Sequence, residues 1–158
     1  MENAVKALYI AAGVLITVMV LSLAAVLYAS LQGYVDNTNK QIKFNSVNSF
    51  NTKYLNYINI SNGEKQFDLR IQDIITIASA TYENNRSNNI DINQWEATPN
   101  SLYVEVLLNG TRIDQTINEQ MVELLQTNKD TTFQCSANDV LISENTGQVY
   151  SISFSTLN

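Results

Sequence analysis

Residues 8–29 read LYIAAGVLITVMVLSLAAVLYA, an apolar run of 22 residues near the N-terminus. No charged residue occurs between Ala7 and Val35. As a helix, such a run rises about 33 Å at roughly 1.5 Å per residue, enough to cross the roughly 30 Å of hydrocarbon in a bilayer. The sequence therefore predicts one transmembrane anchor over residues 1–33, followed by a domain over residues 34–158.

Two other interpretations of this run stay open from the sequence alone: a buried core helix and a cleaved signal peptide. A signal peptide has an apolar core of about 7–15 residues behind a basic start and ends in a cleavage site of small residues. Here the run is longer, Lys6 is the only basic side chain before it, and the bulky Tyr28 makes a poor cleavage site of Leu27-Tyr28-Ala29. A retained anchor in the membrane lipid is therefore favoured.

Small residues are frequent in the anchor, and they suggest that another helix packs against it. Ala7, Ala11 and Gly13 are expected to cover one side of the start of the helix, and Gly13 with Thr17 forms a small-xxx-small pair. Such pairs let two helix backbones approach closely in lipid. The pattern predicts self-association or packing with other membrane helices. The alternative is that Ala and Gly are simply common in spanning helices.

The composition beyond the anchor excludes several classes of function. Removing Glu2 and Lys6 with the anchor leaves the net charge at −6, and such a field repels nucleic acid. The chain has no histidine and a single cysteine, Cys135, which excludes Ser-His and Cys-His dyads and the usual zinc sites. We expect Cys135 to be a buried, inert thiol, and we predict no enzyme activity, no cofactor, no metal and no evident small-molecule substrate.

Hydropathy patterns in the rest of the chain predict an α+β fold. Apolar residues at helical spacing continue to Ile58, as one long helix or with a kink at Gly33, and a second amphipathic helix carries Phe67, Ile71, Ile74 and Ala78 on one face. Alternating patterns predict strands, which are expected to form an antiparallel sheet with one inserted helix. The predicted strands and turns are residues 102–108, the Asn109-Gly110 turn, 111–113, 131–136, 139–143, the Asn145-Thr146-Gly147 turn and 148–155. The inserted helix has a capping box of Thr116 with Glu119.

Three aromatic residues of the domain are candidates for partner contacts: Trp95, Tyr103 and Tyr150. Trp95 lies in a predicted loop over residues 83–100, where the alternative is that it pins the loop to the core. The Asn-x-Ser/Thr sequences at Asn59, Asn85 and Asn109 are expected by chance in so Asn-rich a chain.

The side of the membrane on which the domain lies is indicated weakly. Lys6 precedes the anchor, whereas Lys40 and Lys43 follow it, a count that slightly favours a cytoplasmic domain. Long domains are translocated with little regard for charge, and a polar, acidic domain is typical of an exposed surface module. The extracellular side is therefore the prediction.

The opening MENAVKALYIAAGVLI resembles that of small membrane-anchored proteins of low-GC Gram-positive bacteria, and the layout is similar to type IV pilins and pseudopilins. The resemblance implies a hydrophobic N-terminal helix, half in the membrane and half packed on a C-terminal antiparallel sheet. It also implies an acidic residue that pairs with a neighbouring subunit, for which Glu2 is the candidate; the favoured alternative is that Glu2 is a plain charge at the membrane interface. Pilins are cut after a short basic leader, which does not precede the apolar run here, so either the start of the chain is unusual or this is a pilin-like anchor that is never processed.

These patterns favour a structural subunit of a pilin-like filament or of a secretion or adhesion apparatus at the bacterial cell surface. The main alternative is a monomeric, membrane-anchored binding or accessory module outside the cytoplasm. A membrane enzyme or a phage-type membrane protein is a third possibility.

Overall fold

The computed structural model describes residues 2–88, 103–114 and 119–157. The helices are α1 (Glu2–Leu55), α2 (Ile71–Ser87) and α3 (Glu119–Thr127). The strands are β1 (Ile60–Ser61), β2 (Glu64–Lys65), β3 (Leu69–Arg70), β4 (Glu105–Leu108), β5 (Thr111–Arg112), β6 (Thr132–Gln134), β7 (Val140–Ile142) and β8 (Val149–Thr156). The predicted α+β class with a long N-terminal helix is confirmed.

The chain divides into two compact units, Met1–Asn45 and Ser46–Asn158. α1 runs through the division and stays helical at Gly33, so the predicted continuation of the helix beyond the anchor is confirmed. In the first unit the described side chains are exposed, apart from a half-buried Thr38. The predicted boundary between residues 33 and 34 concerns the membrane edge, which the division into units does not address, and it stays a prediction.

The main sheet is mixed, which corrects the expectation of a purely antiparallel one. β8 lies at its centre, and the order is β3-β6-β8-β4-β5, with β7 also paired to β8. β6 and β7 run antiparallel to β8, but β4 runs parallel to it, with Glu105 opposite Ser151 and Leu108 opposite Phe154. A parallel pair requires a long crossover. Here β5, α3, β6 and β7 all lie between β4 and β8 in the sequence, a connection that strand periodicity alone does not reveal.

Tight turns explain two of the short strand pairs. Asn109 and Gly110 have φ of 49° and 78°, which are the left-handed values of the predicted type I′ turn between β4 and β5. Asn62 and Gly63 take similar values, 53° and 80°, and join β1 to β2. The sequence indicated only a break there, because strands of two residues are too short to show an alternation.

The core of the second unit lies between α2, the last turns of α1 and the sheet. α2 buries Ile71, Ile74 and Ala78 as predicted, whereas Phe67 precedes the helix and is largely exposed. The start of α2 is fixed by the Arg70 N–H, which donates to the Asp73 carboxylate at 3.0 Å. The remaining core is formed mainly by buried residues of the sheet and of the segments that flank it. They are Leu69, Val104, Val106, Leu108, Ile113, Phe133, Cys135, Val140, Val149, Ile152 and Phe154.

Candidate membrane anchor and buried polar contacts

The apolar part of α1 meets the physical requirements for crossing a bilayer. Its most apolar 18-residue window has a mean hydropathy of 2.7, and none of that window is buried by the protein. Its threonine and serine side chains bond within the helix: Thr17 donates to the Gly13 carbonyl and Ser22 to the Val18 carbonyl, both at 2.8 Å. Since an unsatisfied polar group in hydrocarbon costs several kcal/mol, this segment is compatible with single-pass membrane anchoring.

Tyrosine residues lie at both ends of the apolar segment. Tyr9 and Tyr28 are 19 residues apart, about 28 Å along a helix, which matches the roughly 30 Å of bilayer hydrocarbon. Tyrosine is enriched at the two membrane interfaces because its ring is apolar and its hydroxyl is polar. The Tyr28 hydroxyl accepts a hydrogen bond from the Gln32 side chain at 2.8 Å, so its polar end faces away from the apolar segment.

The small residues predicted to form one association face lie on two. Successive residues of a helix are separated by about 100° around its axis, so Ala11 and Gly13 point about 160° apart. Ala7 and Ala11 share one side, and Gly13 and Thr17 share another. The expectation that Ala7, Ala11 and Gly13 cover one side is therefore wrong.

Glu2, the candidate for an inter-subunit charge, has a partner within its own helix. Lys6 donates to the Glu2 carboxylate at 2.8 Å, and both side chains are exposed. The Glu-then-Lys order at a spacing of four is the favourable one on a helix, although an exposed pair contributes only about 0.3–0.5 kcal/mol. A neighbouring subunit would have to compete only with this weak pair, and the inter-subunit role stays a prediction.

A buried carboxylate, Asp114, joins the two strands of the β4–β5 hairpin at their open end. Its Oδ1 accepts from the Val106 N–H at 3.2 Å and from the Arg112 Nε at 3.0 Å, while its Oδ2 accepts from the Tyr103 hydroxyl. The Arg112 guanidinium also lies 4.7 Å from the centre of the Tyr103 ring. Both carboxylate oxygens are thus engaged by protein donors, an arrangement that holds the hairpin together.

Burial dominates the ionisation of this cluster. It raises the pKa of Asp114, although the Val106 N–H and the Arg112 guanidinium both act to lower it. The pKa of Glu105 is raised as well, first by burial and then by the negative charge of Asp114. The Ser151 hydroxyl donates to the Glu105 carboxylate at 3.4 Å and opposes that shift.

The aromatic residues predicted to contact partners have different environments. Tyr103 is fully buried and bonded to Asp114, which corrects its assignment as an exposed contact. Tyr103 and Val104 are both buried, so the chain is enclosed on both faces at this point. Tyr150 is half-buried in β8. Trp95 and the Thr116 of the predicted capping box lie outside the described residues.

Three buried asparagine side chains bind main-chain groups in the second unit, and sequence reasoning missed their role. Asn51 on α1 donates to the Gly147 carbonyl and accepts from the Val149 N–H at the start of β8. Asn85 on α2 makes the same pair of bonds to the main chain of Val104. Each of these side-chain amides donates to and accepts from the main chain at the end of a strand, as the peptide groups of a neighbouring strand would.

The Asn59 side chain also binds main-chain groups, in this case those of two separate segments. Its Oδ1 accepts from the Cys135 N–H at 2.7 Å, and its Nδ2 donates to the carbonyls of Phe133 and Phe67 at 2.8 and 3.2 Å. The one available signal in the sequence was an excess of Asn in segments that also contain apolar residues. Asn59 and Asn85 each begin an Asn-x-Ser/Thr sequence, and both asparagine side chains are buried in the protein.

Cys135 and the acidic residues show no arrangement for metal or nucleophilic chemistry within the described residues. Cys135 is buried, and its burial, with a smaller contribution from the charge of Asp139, raises the pKa of the thiol to about 12. The described part of the chain contains no group of three or more Cys, Asp or Glu residues that could hold a metal ion. A comparison with protein-family models, with curated proteins and with solved structures finds no match.

Proposed function

We propose that this chain is a membrane-anchored structural subunit of a bacterial cell-surface assembly, of the pilin-like filament or secretion-apparatus kind. The proposal rests on the exposed apolar helix between Tyr9 and Tyr28. Within it, the hydroxyls of Thr17 and Ser22 donate to carbonyl groups of the same helix. A segment of this kind is stable in lipid and unfavourable in water, since burying apolar surface contributes about 25 cal/mol per Å². We propose that this helix holds the C-terminal domain at the membrane.

The C-terminal domain favours a structural role over a catalytic one. Its buried carboxylate, Asp114, is bonded to protein donors on both oxygens, and the buried side chains of Asn51, Asn59 and Asn85 bind main-chain groups. Polar groups committed in this way stabilise a domain and offer little to a substrate. We place this domain outside the cytoplasm because its composition is polar and acidic.

Membrane insertion is tested with a charge at the centre of the anchor. Met19 lies midway between Tyr9 and Tyr28 and is exposed, so Met19→Arg leaves the protein's own packing unchanged. An arginine at the centre of a spanning helix costs about 2.5–3.5 kcal/mol of insertion free energy. We expect the wild type to stay in the membrane pellet after alkaline carbonate washing and Met19→Arg to be partly released. Phe44→Arg, at an equally exposed site beyond the anchor, is the matched control and should stay in the pellet. Release of the wild type would overturn the proposal.

The side of the membrane is tested by proteolysis. External protease added to whole cells should remove the C-terminal domain, and the same protease added to inverted vesicles should leave it intact. The opposite pattern would contradict a surface role. Intact-mass measurement of the membrane-bound protein tests whether the N-terminus is processed.

Assembly separates the filament subunit from the monomeric accessory module. A subunit should appear in large complexes that mechanical shearing releases from cells, and gradient sedimentation of gently solubilised membranes should show a mass of many copies. A wild type that sediments only as a single chain would favour the accessory module.

A further inference from the structure

The chain contains two Asn-Gly dipeptides, Asn62-Gly63 and Asn109-Gly110, and each forms the tip of a hairpin. Their backbone conformations are closely matched: φ is 53° and 80° in the first pair and 49° and 78° in the second. A side chain added at either glycine would meet nothing within 4 Å, so the space around both turns is open. The two sites therefore share their chemistry and their turn geometry, and they differ in how each asparagine is held.

Asn109 is bound to the central strand β8 through its main chain and its side chain. Its N–H donates to the Phe154 carbonyl at 2.8 Å. Its Oδ1 accepts from the Thr156 N–H at 3.0 Å, and its Nδ2 donates to the Thr156 hydroxyl at 3.1 Å. β4, which precedes the turn, is itself paired with β8 over four residues. Asn109 therefore moves only if bonds to the centre of the sheet break.

Asn62 lies in a smaller and less protected hairpin. β1 and β2 have two residues each and form a separate sheet, and all residues from Ile60 to Lys65 are exposed apart from a half-buried Ile60. Within the part of the chain that the structure describes, the Asn62 side chain has no hydrogen-bond partner. The base of the hairpin is fixed, because the Ile60 N–H donates to the Cys135 carbonyl. Opening of the tip leaves the core intact, and local opening of such short, exposed elements costs little free energy.

We infer that Asn62 is a site of spontaneous deamidation in the folded protein, and that the bonds to β8 protect Asn109 from the same reaction. The main-chain nitrogen of Gly63 attacks Cγ of Asn62, its proton passes to the leaving amide nitrogen, and ammonia is released. The new N–C bond closes a five-membered succinimide ring. Water then opens the ring at one of its two carbonyl groups, and the product is aspartate or isoaspartate. Glycine favours ring closure because no Cβ shields its nitrogen.

The difference in mobility between the two asparagines sets the expected difference in rate. Ring closure needs the attacking nitrogen and Cγ to come into line, so a side chain that is free to rotate reaches this geometry more often than a bonded one. The Asn109 side chain must first break its two bonds to Thr156. We expect conversion at Asn109 to be at least about tenfold slower than at Asn62.

Deamidation would change the surface of the β1–β2 hairpin as the protein ages. Each converted Asn62 adds one negative charge close to Glu64, and the isoaspartate form also lengthens the main chain by one carbon atom. The inference concerns the C-terminal domain alone and does not depend on the proposed membrane anchoring.

The test is prolonged incubation of the full chain in detergent micelles in mildly alkaline buffer, followed by peptide mapping with mass spectrometry. Deamidation replaces an NH group by an oxygen atom, so the mass of the peptide locates each converted residue, and chromatography separates aspartate from isoaspartate. Conversion at Asn62 should exceed conversion at Asn109 by the expected factor. The same incubation in urea is the control: both sites should react at similar rates there, because the fold no longer restrains either asparagine.

Two substitutions test the protection of Asn109. Thr156→Ala removes the hydroxyl that accepts from the Asn109 Nδ2, and it should speed conversion at Asn109 about three- to tenfold. Ser155→Ala is the matched control, because the Ser155 hydroxyl accepts from the Gln134 side chain instead, and it should leave the rate at Asn109 unchanged. Conversion at Asn62 in the same molecules supplies the internal reference.

A further substitution tests the chemistry at Asn62. Gly63→Ala should slow conversion at Asn62, because the added methyl group shields the attacking nitrogen. An Asn62 that stays unmodified in the folded protein, over the time in which it converts in urea, would overturn the inference. Equal conversion of the two asparagines in the folded protein would also overturn it, as would a difference between them that persists unchanged in urea.

Discussion

Replacing Asn59 by alanine should lower the free energy of unfolding of the C-terminal domain by about 2–6 kcal/mol. The Asn59 side chain is fully enclosed and makes three hydrogen bonds to main-chain groups of Cys135, Phe133 and Phe67. Alanine would leave the Cys135 N–H without this acceptor, and an orphaned buried donor costs about 1–3 kcal/mol. The two carbonyls lose a donor, and each net hydrogen bond contributes about 0.5–1.5 kcal/mol.

The assay is urea unfolding of the full chain in detergent micelles, followed by near-ultraviolet circular dichroism of the tyrosines. The anchor stays helical in the micelle, so the signal reports the domain. Asn56→Ala is the matched control, since Asn56 is exposed, and it should change the free energy of unfolding by less than about 0.5 kcal/mol. A loss at Asn59 no larger than that of the control would refute the reasoning.

Asn59→Asp separates the hydrogen bonds from the loss of volume. This substitution keeps the size of the side chain but turns its donor into an acceptor that faces the Phe133 and Phe67 carbonyls. Burial would raise the pKa of the new carboxyl above its unfolded value near 3.9, so the variant should gain stability relative to wild type as the pH falls through the raised pKa. A cavity alone would give no such pH dependence.

Three further predictions concern Asp114, Cys135 and the glycines. The raised pKa of Asp114 means that its protonation favours the folded state, so this group should add stability as the pH falls through that raised pKa toward the unfolded value of about 3.9. Asp114→Asn should flatten that rise in urea midpoints measured against pH. A variant with the wild-type slope would contradict the assignment. Cys135, with a pKa of about 12, should resist alkylation by iodoacetamide at pH 8 in the folded protein and react fully in urea, as intact mass would show. Labelling at equal rates in both states would count against its burial. Gly110→Ala, at a φ of 78°, should cost about 1 kcal/mol in urea unfolding of the full chain, whereas Gly33→Ala in α1 should raise the helix content of the anchor by circular dichroism. Equal stability of the Gly110→Ala variant and wild type would exclude strain at the turn.

Local sequence patterns carried the predictions that the structure confirms. The long N-terminal helix, the apolar face of α2 with Ile71, Ile74 and Ala78, and the Asn109-Gly110 turn each depend on neighbours within a few residues of the chain. Local features of this kind can be predicted from the sequence, because a long apolar helix or a type I′ turn is determined by its own residues.

Features that depend on distant residues could not be predicted in the same way. The parallel pairing of β4 with β8 joins segments separated by the whole of β5, α3, β6 and β7. Tyr103 precedes β4 and is buried, and its hydroxyl donates to the Asp114 carboxylate, a residue of the segment that follows β5. The alternation of apolar and polar residues in a strand predicts neither feature. It assigns each side chain to a face of the sheet, but it does not identify the neighbouring strand.

The asparagines show why composition was misread. An excess of Asn is typical of an exposed or weakly structured surface, and the polar composition of this domain indicated an exposed surface module. Four of the strands are two residues long, so their ladders satisfy few main-chain groups, and every buried N–H and carbonyl still needs a partner. The Asn side chain carries the same amide as the peptide bond and can replace a missing strand neighbour from a helix, as Asn51 and Asn85 do. A domain built from such short strands therefore requires buried asparagines, and their number in this chain is a property of its core as well as of its surface.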